Sequence, residues 1–104
     1  MDINNLVAQA QQMQQRAHQV EEALLKITVT GSAGGGMVTV DADGKGNVKK
    51  VRIDPAAVNP ADIEMLEDLV TVATIDAQKK AAESAQQEMR ALLGGLKLPF
   101  PLPF

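Results

Sequence analysis

The spacing of hydrophobic positions changes period three times along the chain. Ile3, Leu6, Ala10, Met13, Ala17, Val20 and Leu24 recur at alternating three- and four-residue intervals, and Ile27 falls on the same count. This heptad-like seam predicts an amphipathic first helix able to pack against another helix, with Asp2 as its N-cap and Ile27 just past its end. The other faces carry Gln9, Gln11, Gln12, Gln14, Gln15 and Gln19, with Arg16 as their strong cation. The period then falls to two. Lys26 to Thr30 predicts a short strand with Ile27 and Val29 on one face, and Gly31 to Gly36 a flexible connection. Val38, Val40 and Ala42 alternate with Met37, Thr39 and Asp41 in a second strand. Asp43 to Asn47 supplies residues suited to a hairpin turn. Val48 to Ile53 returns as a third strand, and Asp54-Pro55 stops it because proline cannot donate to a ladder.

A helical period resumes beyond Pro55. Asn59 is placed as N-cap and Pro60 at the first helical position, with Asp62, Glu64, Glu67 and Asp68 at the positive end of the dipole. The pattern continues to Leu93, where Gly94-Gly95 offers a stop. Ile63, Leu66, Leu69, Val70, Val72 and Ala73 make a wide apolar face, followed by a shallow one of Ala77, Ala81, Ala82 and Ala85. The first half is therefore expected to lie on the sheet and the second to project or pair lightly. A helix of this length is a rod of about 50 Å, whereas a compact domain of this size has a radius of gyration of about 13 Å. The rod must project, bend or pack against a partner.

The fold class that follows is α+β, in the order α-β-β-β-α, with one domain over 1–95 and an extended proline-rich segment over 96–104. Among 104 residues only Phe100 and Phe104 are aromatic, and both lie in that last segment. The core must be built from Leu, Ile, Val, Met and Ala, and so thin a core leads us to expect a second chain to help bury it. Cysteine is absent, which excludes disulfides and thiolate metal sites and fits a cytoplasmic protein. No stretch reads as a membrane span or a signal peptide. The net charge of −3 means that any contact with nucleic acid uses a local patch.

Chemistry is hard to find. Gly31 to Met37 lacks the Lys-Ser/Thr of a phosphate loop. Asp41, Asp43, Lys45 and Gly46 imitate the start of a calcium loop, but lysine takes a ligand position and Arg52 stands where glutamate is needed. His18 is the chain's one histidine and falls on the solvent side of the seam, so zinc has no ligand set. Glu67 and Asp68 are explained by the helix dipole. No nucleophile is paired with a base. The pattern predicts neither an enzyme, a cofactor, nor a small-molecule substrate.

Charge is easier to find. Lys45, Lys49, Lys50 and Arg52 crowd the hairpin. Strand alternation puts Lys50 and Arg52 on one face and Lys49 on the other, with Lys45 at the tip. These cations suit phosphates, and they suit equally the protection of an exposed edge strand. Arg16, Lys79, Lys80 and Arg90 are the helical candidates, with Lys79 and Glu83 spaced to pair. Without interleaved aromatics, base stacking is disfavoured, and binding to a duplex backbone remains.

Gly31-Ser-Ala-Gly34-Gly-Gly-Met-Val-Thr-Val, Val51-Arg-Ile-Asp54-Pro55, Glu64-Met-Leu-Glu-Asp-Leu-Val70, Asp76-Ala77 and Gly94-Gly95…Leu98-Pro99 follow in order. Together they resemble the YbaB/EbfC family of bacterial nucleoid-associated proteins over essentially the whole chain. The resemblance implies a cytoplasmic homodimer whose helices project from a shared sheet like tweezers around duplex DNA. It also implies low or modest sequence preference and effects on nucleoid organisation or gene expression. The rival reading is a protein–protein adaptor or chaperone-like module that uses the heptad seam and the apolar segment, with no nucleic-acid role.

Overall fold

The computed structural model describes residues 3–93. The proposed cap at Asp2, the stop at Gly94-Gly95 and the extended segment 96–104 lie outside them. Helix α1 (Ile3–Lys26) leads into strands β1 (Val29–Ala33), β2 (Val38–Ala42) and β3 (Val48–Ile53), then a 3-10 turn (Pro55–Ala57) and helix α2 (Ile63–Leu93). The strands form an antiparallel meander in the order β1-β2-β3. The α+β expectation is met in element order and type.

Three boundaries differ from the sequence reading, each for a local reason. β1 begins later than expected and runs through Gly31, Ser32 and Ala33, residues that read as linker. The connection shrinks to Gly34–Met37, and the φ values of its three glycines, 62°, 66° and 92°, fall in the left-handed region that glycine tolerates. The second helix is capped by Asp62, whose carboxylate accepts from Met65 N at 3.1 Å. Asn59 instead closes a turn around Pro60, accepting from Ala61 N through its side chain (3.0 Å) and from Asp62 N through its carbonyl (2.9 Å). An Asx turn and an Asx cap draw on the same side-chain chemistry, and here the proline-containing turn claims the first of them.

One face of the sheet is covered by α2. Val38 and Val40 are fully buried, and with Ala33, Ala42, Ala73 and Ala77 they form the core, flanked by Val29, Leu66, Leu69 and Val70. The tightest point is Gly31. A Cβ there would stand 2.2 Å from Ala77 N and 2.3 Å from Ala73 O, so helix backbone rests directly on strand backbone. Val72, assigned to the packed face by its apolar character, is 54% exposed; it lies five residues back from Ala77, on the far side of the helix.

α2 also closes one edge of the sheet. The β1 residues Thr30 and Ser32 turn their unladdered backbone groups outward. Ser32 N donates to Asp76 Oδ2 at 3.0 Å, and Lys80 Nζ donates to the Thr30 carbonyl at 3.0 Å. Asp76 and Lys80 are themselves an i,i+4 pair at 3.2 Å. Side chains thus supply the partners that a neighbouring strand would give. Beyond the sheet α2 runs antiparallel to α1: Ala81 and Ala85 lie near Leu24, and Met89 and Ala91 near residues 14–23. The molecule is a rod of 70 × 23 × 17 Å with a radius of gyration of 19.5 Å, well beyond the compact value of about 13 Å.

Two outcomes follow. Gly31→Ala must push two backbones apart and should cost about 3 kcal/mol or more in urea unfolding, whereas Ser32→Ala, on the exposed face, should cost under about 0.5 kcal/mol. The Asp76 carboxyl is held below its ordinary 3.8 chiefly by the Ser32 amide and then by Lys80. Its stabilisation is therefore present above that value and fades as pH falls through and below it. Asp76→Asn should be less stable than the parent at pH 7 and lose less on transfer to pH 3, read by thermal unfolding at each pH.

Candidate nucleic-acid interface

The hairpin tip is built around Asp43, which is only 5% exposed. Its carboxylate accepts from Lys45 N (2.9 Å), Asn47 N (3.0 Å) and Asn47 Nδ2 (3.0 Å), which holds its pKa below the ordinary carboxylate range, the Asn47 side chain contributing most. A carboxylate with three internal donors is a turn brace. Gly44 N donates to the Leu24 carbonyl at 2.8 Å, tying the tip to the last turn of α1, where the same oxygen also accepts from Ile27 N at 3.2 Å.

The register from this tip into β3 contains a bulge. Val40 pairs with Val51 and Asp41 with Lys50, but Ala42 pairs with Val48, so Lys49 is the extra residue. Simple alternation would send Lys49 to the face opposite Lys50. The bulge brings it to the same face instead. Lys49 Nζ reaches Thr28 Oγ1 at 3.1 Å and the Ile27 carbonyl at 3.2 Å, and the next threonine in that row, Thr30, donates to Asp41 on the open face at 2.9 Å. Lys49, Lys50 and Arg52 therefore form one basic strip on the side of the sheet away from α2.

Within the strip the cations differ. Arg52 is clamped on Asp41 by Nη1–Oδ2 (2.8 Å) and Nη2–Oδ1 (2.9 Å), with Nε on Thr39 Oγ1 at 3.2 Å. The pair holds the pKa of Asp41 below its ordinary value and that of Arg52 above its own, mainly through the side-chain hydrogen bonds. Asp41 is thus spent on Arg52 and Thr30. Lys50 stands opposite Asp41 and has no bonded side-chain partner among the described residues.

The remaining candidates are dispersed. Lys45 pairs with Glu21 on α1 at 3.2 Å. Lys80 is the edge brace already described. Lys79 and Arg90 are exposed, and helical periodicity puts both on the back of α2, opposite the Ala73–Ala77 contact. Lys79 does not pair with Glu83. The acid-before-base pair Asp76–Lys80 forms instead, the order that the helix dipole favours. Arg16 lines the groove between α1 and α2 with Glu88 but makes no ion pair with it. His18 is solvent-facing as expected, 3.0 Å from Glu22. One face of the monomer thus gathers three of the eight candidates, and the back of α2 holds two others on the opposite side.

A feature hidden from sequence reading lies beneath the same strand. Val51 and Ile53 share the core-side face with Val40 and Val38, yet they are 43% and 40% exposed because α2 sits over β1 and β2. Every β3 residue is exposed. The third strand is basic above, apolar below and unpaired along its outer edge.

Residues 1–96 match the YbaB/EbfC DNA-binding family. A protein of Gemmatimonas aurantiaca named nucleoid-associated protein is 47% identical over 104 residues, spanning the full length of both chains. A similarly named protein of Gluconacetobacter diazotrophicus is 45% identical, with 99% of this chain and 96% of that one aligned. The crystal structure of an uncharacterized protein from Helicobacter pylori superposes with a TM-score of 0.78 at 28% identity, covering 90% of this chain and 99% of that one.

The Asp41 clamp makes a directional forecast. Asp41→Asn removes the charge that competes for Arg52 while keeping an acceptor for Thr30. Affinity for duplex DNA should rise, and the slope of log K against log salt should steepen by up to about one unit as Arg52 becomes available. Fluorescence anisotropy across a salt series reads both; weaker binding would mean that Asp41 serves the interface by orienting Arg52.

Proposed function

The chain belongs to the YbaB/EbfC DNA-binding family, and from that premise we propose that it acts at the nucleoid by binding duplex DNA as a homodimer. Binding is mainly to phosphates with low sequence preference, and it affects nucleoid organisation and gene expression. The observation that carries this reading is the strip of Lys49, Lys50 and Arg52 on one open sheet face. Lysines and a planar guanidinium on a nearly flat surface engage phosphate oxygens without selecting a base.

A homodimer is supported by β3. Its outer edge has no partner strand, its underside leaves Val51 and Ile53 uncovered, and the β1 edge is already occupied by Asp76 and Lys80. A second copy meeting β3 about a twofold axis, with the two sheets continuous, would cover the valine and isoleucine and set two basic strips side by side on the same face. Such pairing doubles the local charge along one surface. It also reconciles a net charge of −3 with a polyanionic partner, because the acids lie largely elsewhere.

Two unrelated duplexes titrated across salt test the reading. The expected result is similar affinity for both and a log-linear loss with salt, at about −0.9 per phosphate contacted. The triple variant K49Q/K50Q/R52Q should lose about tenfold or more at moderate salt, and R16Q/K79Q/R90Q should lose far less. No binding at low salt would refute DNA binding by the protein alone. The reverse order of the two triples would move the contact from the sheet to the helices.

A further inference from the structure

α1 carries one continuous apolar stripe, and only part of it is covered. Val20 and Leu24, at the sheet end, are buried. The rest is open: Ile3 is 73% exposed, and Leu6, Val7 and Met13 are exposed large hydrophobics. The covered part is the part that the described residues of α2 reach. Leu24 faces residues 78–85, and Arg16 to Ala23 face Glu88 and Ala91. Continuing that antiparallel count brings Leu93 level with about Met13. The stripe is open beyond the part that the described residues of α2 cover.

We propose that this N-terminal half of the α1 stripe is the docking surface for the chain's own segment Leu96–Phe104. At its last described residues α2 runs toward the open stripe, and the segment begins three residues further along the sequence, so docking requires no reversal of chain direction. From Met13 to Ile3 is about 15 Å along the helix. Nine residues in a strand-like extended conformation span about 30 Å, enough to cover it.

The chemistry of the segment fits an apolar helix face. Leu96, Leu98, Phe100, Leu102 and Phe104 alternate with Lys97, Pro99, Pro101 and Pro103. Alternate residues of an extended chain share a side, which gives one apolar edge carrying both phenylalanines of the protein. The three prolines have no N–H, so the segment can lie on an apolar surface with fewer donors left unsatisfied. They also stiffen the chain before docking and so lower its entropic cost. A second copy of α1 fits less well. The open stripe is about two heptads long, short of the three or four that sustain a coiled coil. The short connection from α2 also gives the chain's own segment a high effective concentration. This docking goes beyond the DNA-binding reading and does not depend on it.

Two measurements on the full-length protein decide it. Hydrogen exchange of amides 7–13 should quicken about tenfold or more in F100S/F104S and in the chain ended after Gly95, with residues 29–53 unchanged. Unchanged exchange over 7–13 in both variants overturns the proposal. The natural absence of cysteine allows a clean second test, mild oxidation of A10C/L98C with intact mass and a non-reducing gel. A disulfide within one chain supports docking in cis. A disulfide between two chains overturns it in favour of a second copy as occupant.

Discussion

The backbone contact between Gly31 and α2 decides how the rest of the molecule is laid out. No side chain fits between Gly31 and the Ala73–Ala77 turn of the helix, so α2 is seated over β1 and β2 at the closest possible distance. From that seat, one turn of helix is enough for Asp76 and Lys80 to reach the outward amide and carbonyl of β1. The same seat leaves β3 beyond the width of the helix. The closed edge, the open edge and the uncovered apolar underside of β3 are therefore three results of one close approach.

The cations separate into those that hold the fold and those that remain available. Lys80 braces an edge, Lys45 reaches to Glu21, Lys49 bonds Ile27 and Thr28 just after α1, and Arg52 is clamped by Asp41. An exposed ion pair contributes little to stability, and a lysine can exchange a carbonyl for a phosphate at small cost. Arg52 is different, because its bidentate clamp satisfies several guanidinium donors at once. Position on a common face matters more for polyanion binding than freedom from internal bonds. By that criterion the proposed contact falls on the β3 strip and not on the dispersed helical cations.

Much of the architecture was legible in the sequence because the periods are clean. The heptad stripe, the alternation in β2 and the long second helix all follow from counting, and the ordered glycine and Asp-Pro motifs carried the family resemblance. What was not legible depends on partners. Gly31-Ser32-Ala33 has little strand propensity of its own and becomes a strand through contact with α2. The bulge at Lys49 is a single residue added to a period of two, and only the register against β2 reveals it. The choice between Lys79–Glu83 and Asp76–Lys80 is set by which flank of the helix meets the sheet edge. The open underside of β3 could not be read at all, since valine and isoleucine in a strand look the same whether or not a helix covers them.

A thin core and a basic strip are two aspects of one strand. With few large side chains fully buried, a monomer leaves apolar surface uncovered, and the largest gap in the sheet layer lies under Val51 and Ile53. Whatever covers that gap must approach β3 from the edge or from below, because the top carries Lys49, Lys50 and Arg52. Like charges brought together on top oppose such an approach, while burial beneath favours it. A polyanion across the top would neutralise the repulsion and leave the burial intact, so the proposed dimerisation and DNA binding should strengthen each other. By linkage, any change that weakens the apolar underside should weaken DNA binding even though it touches no cation.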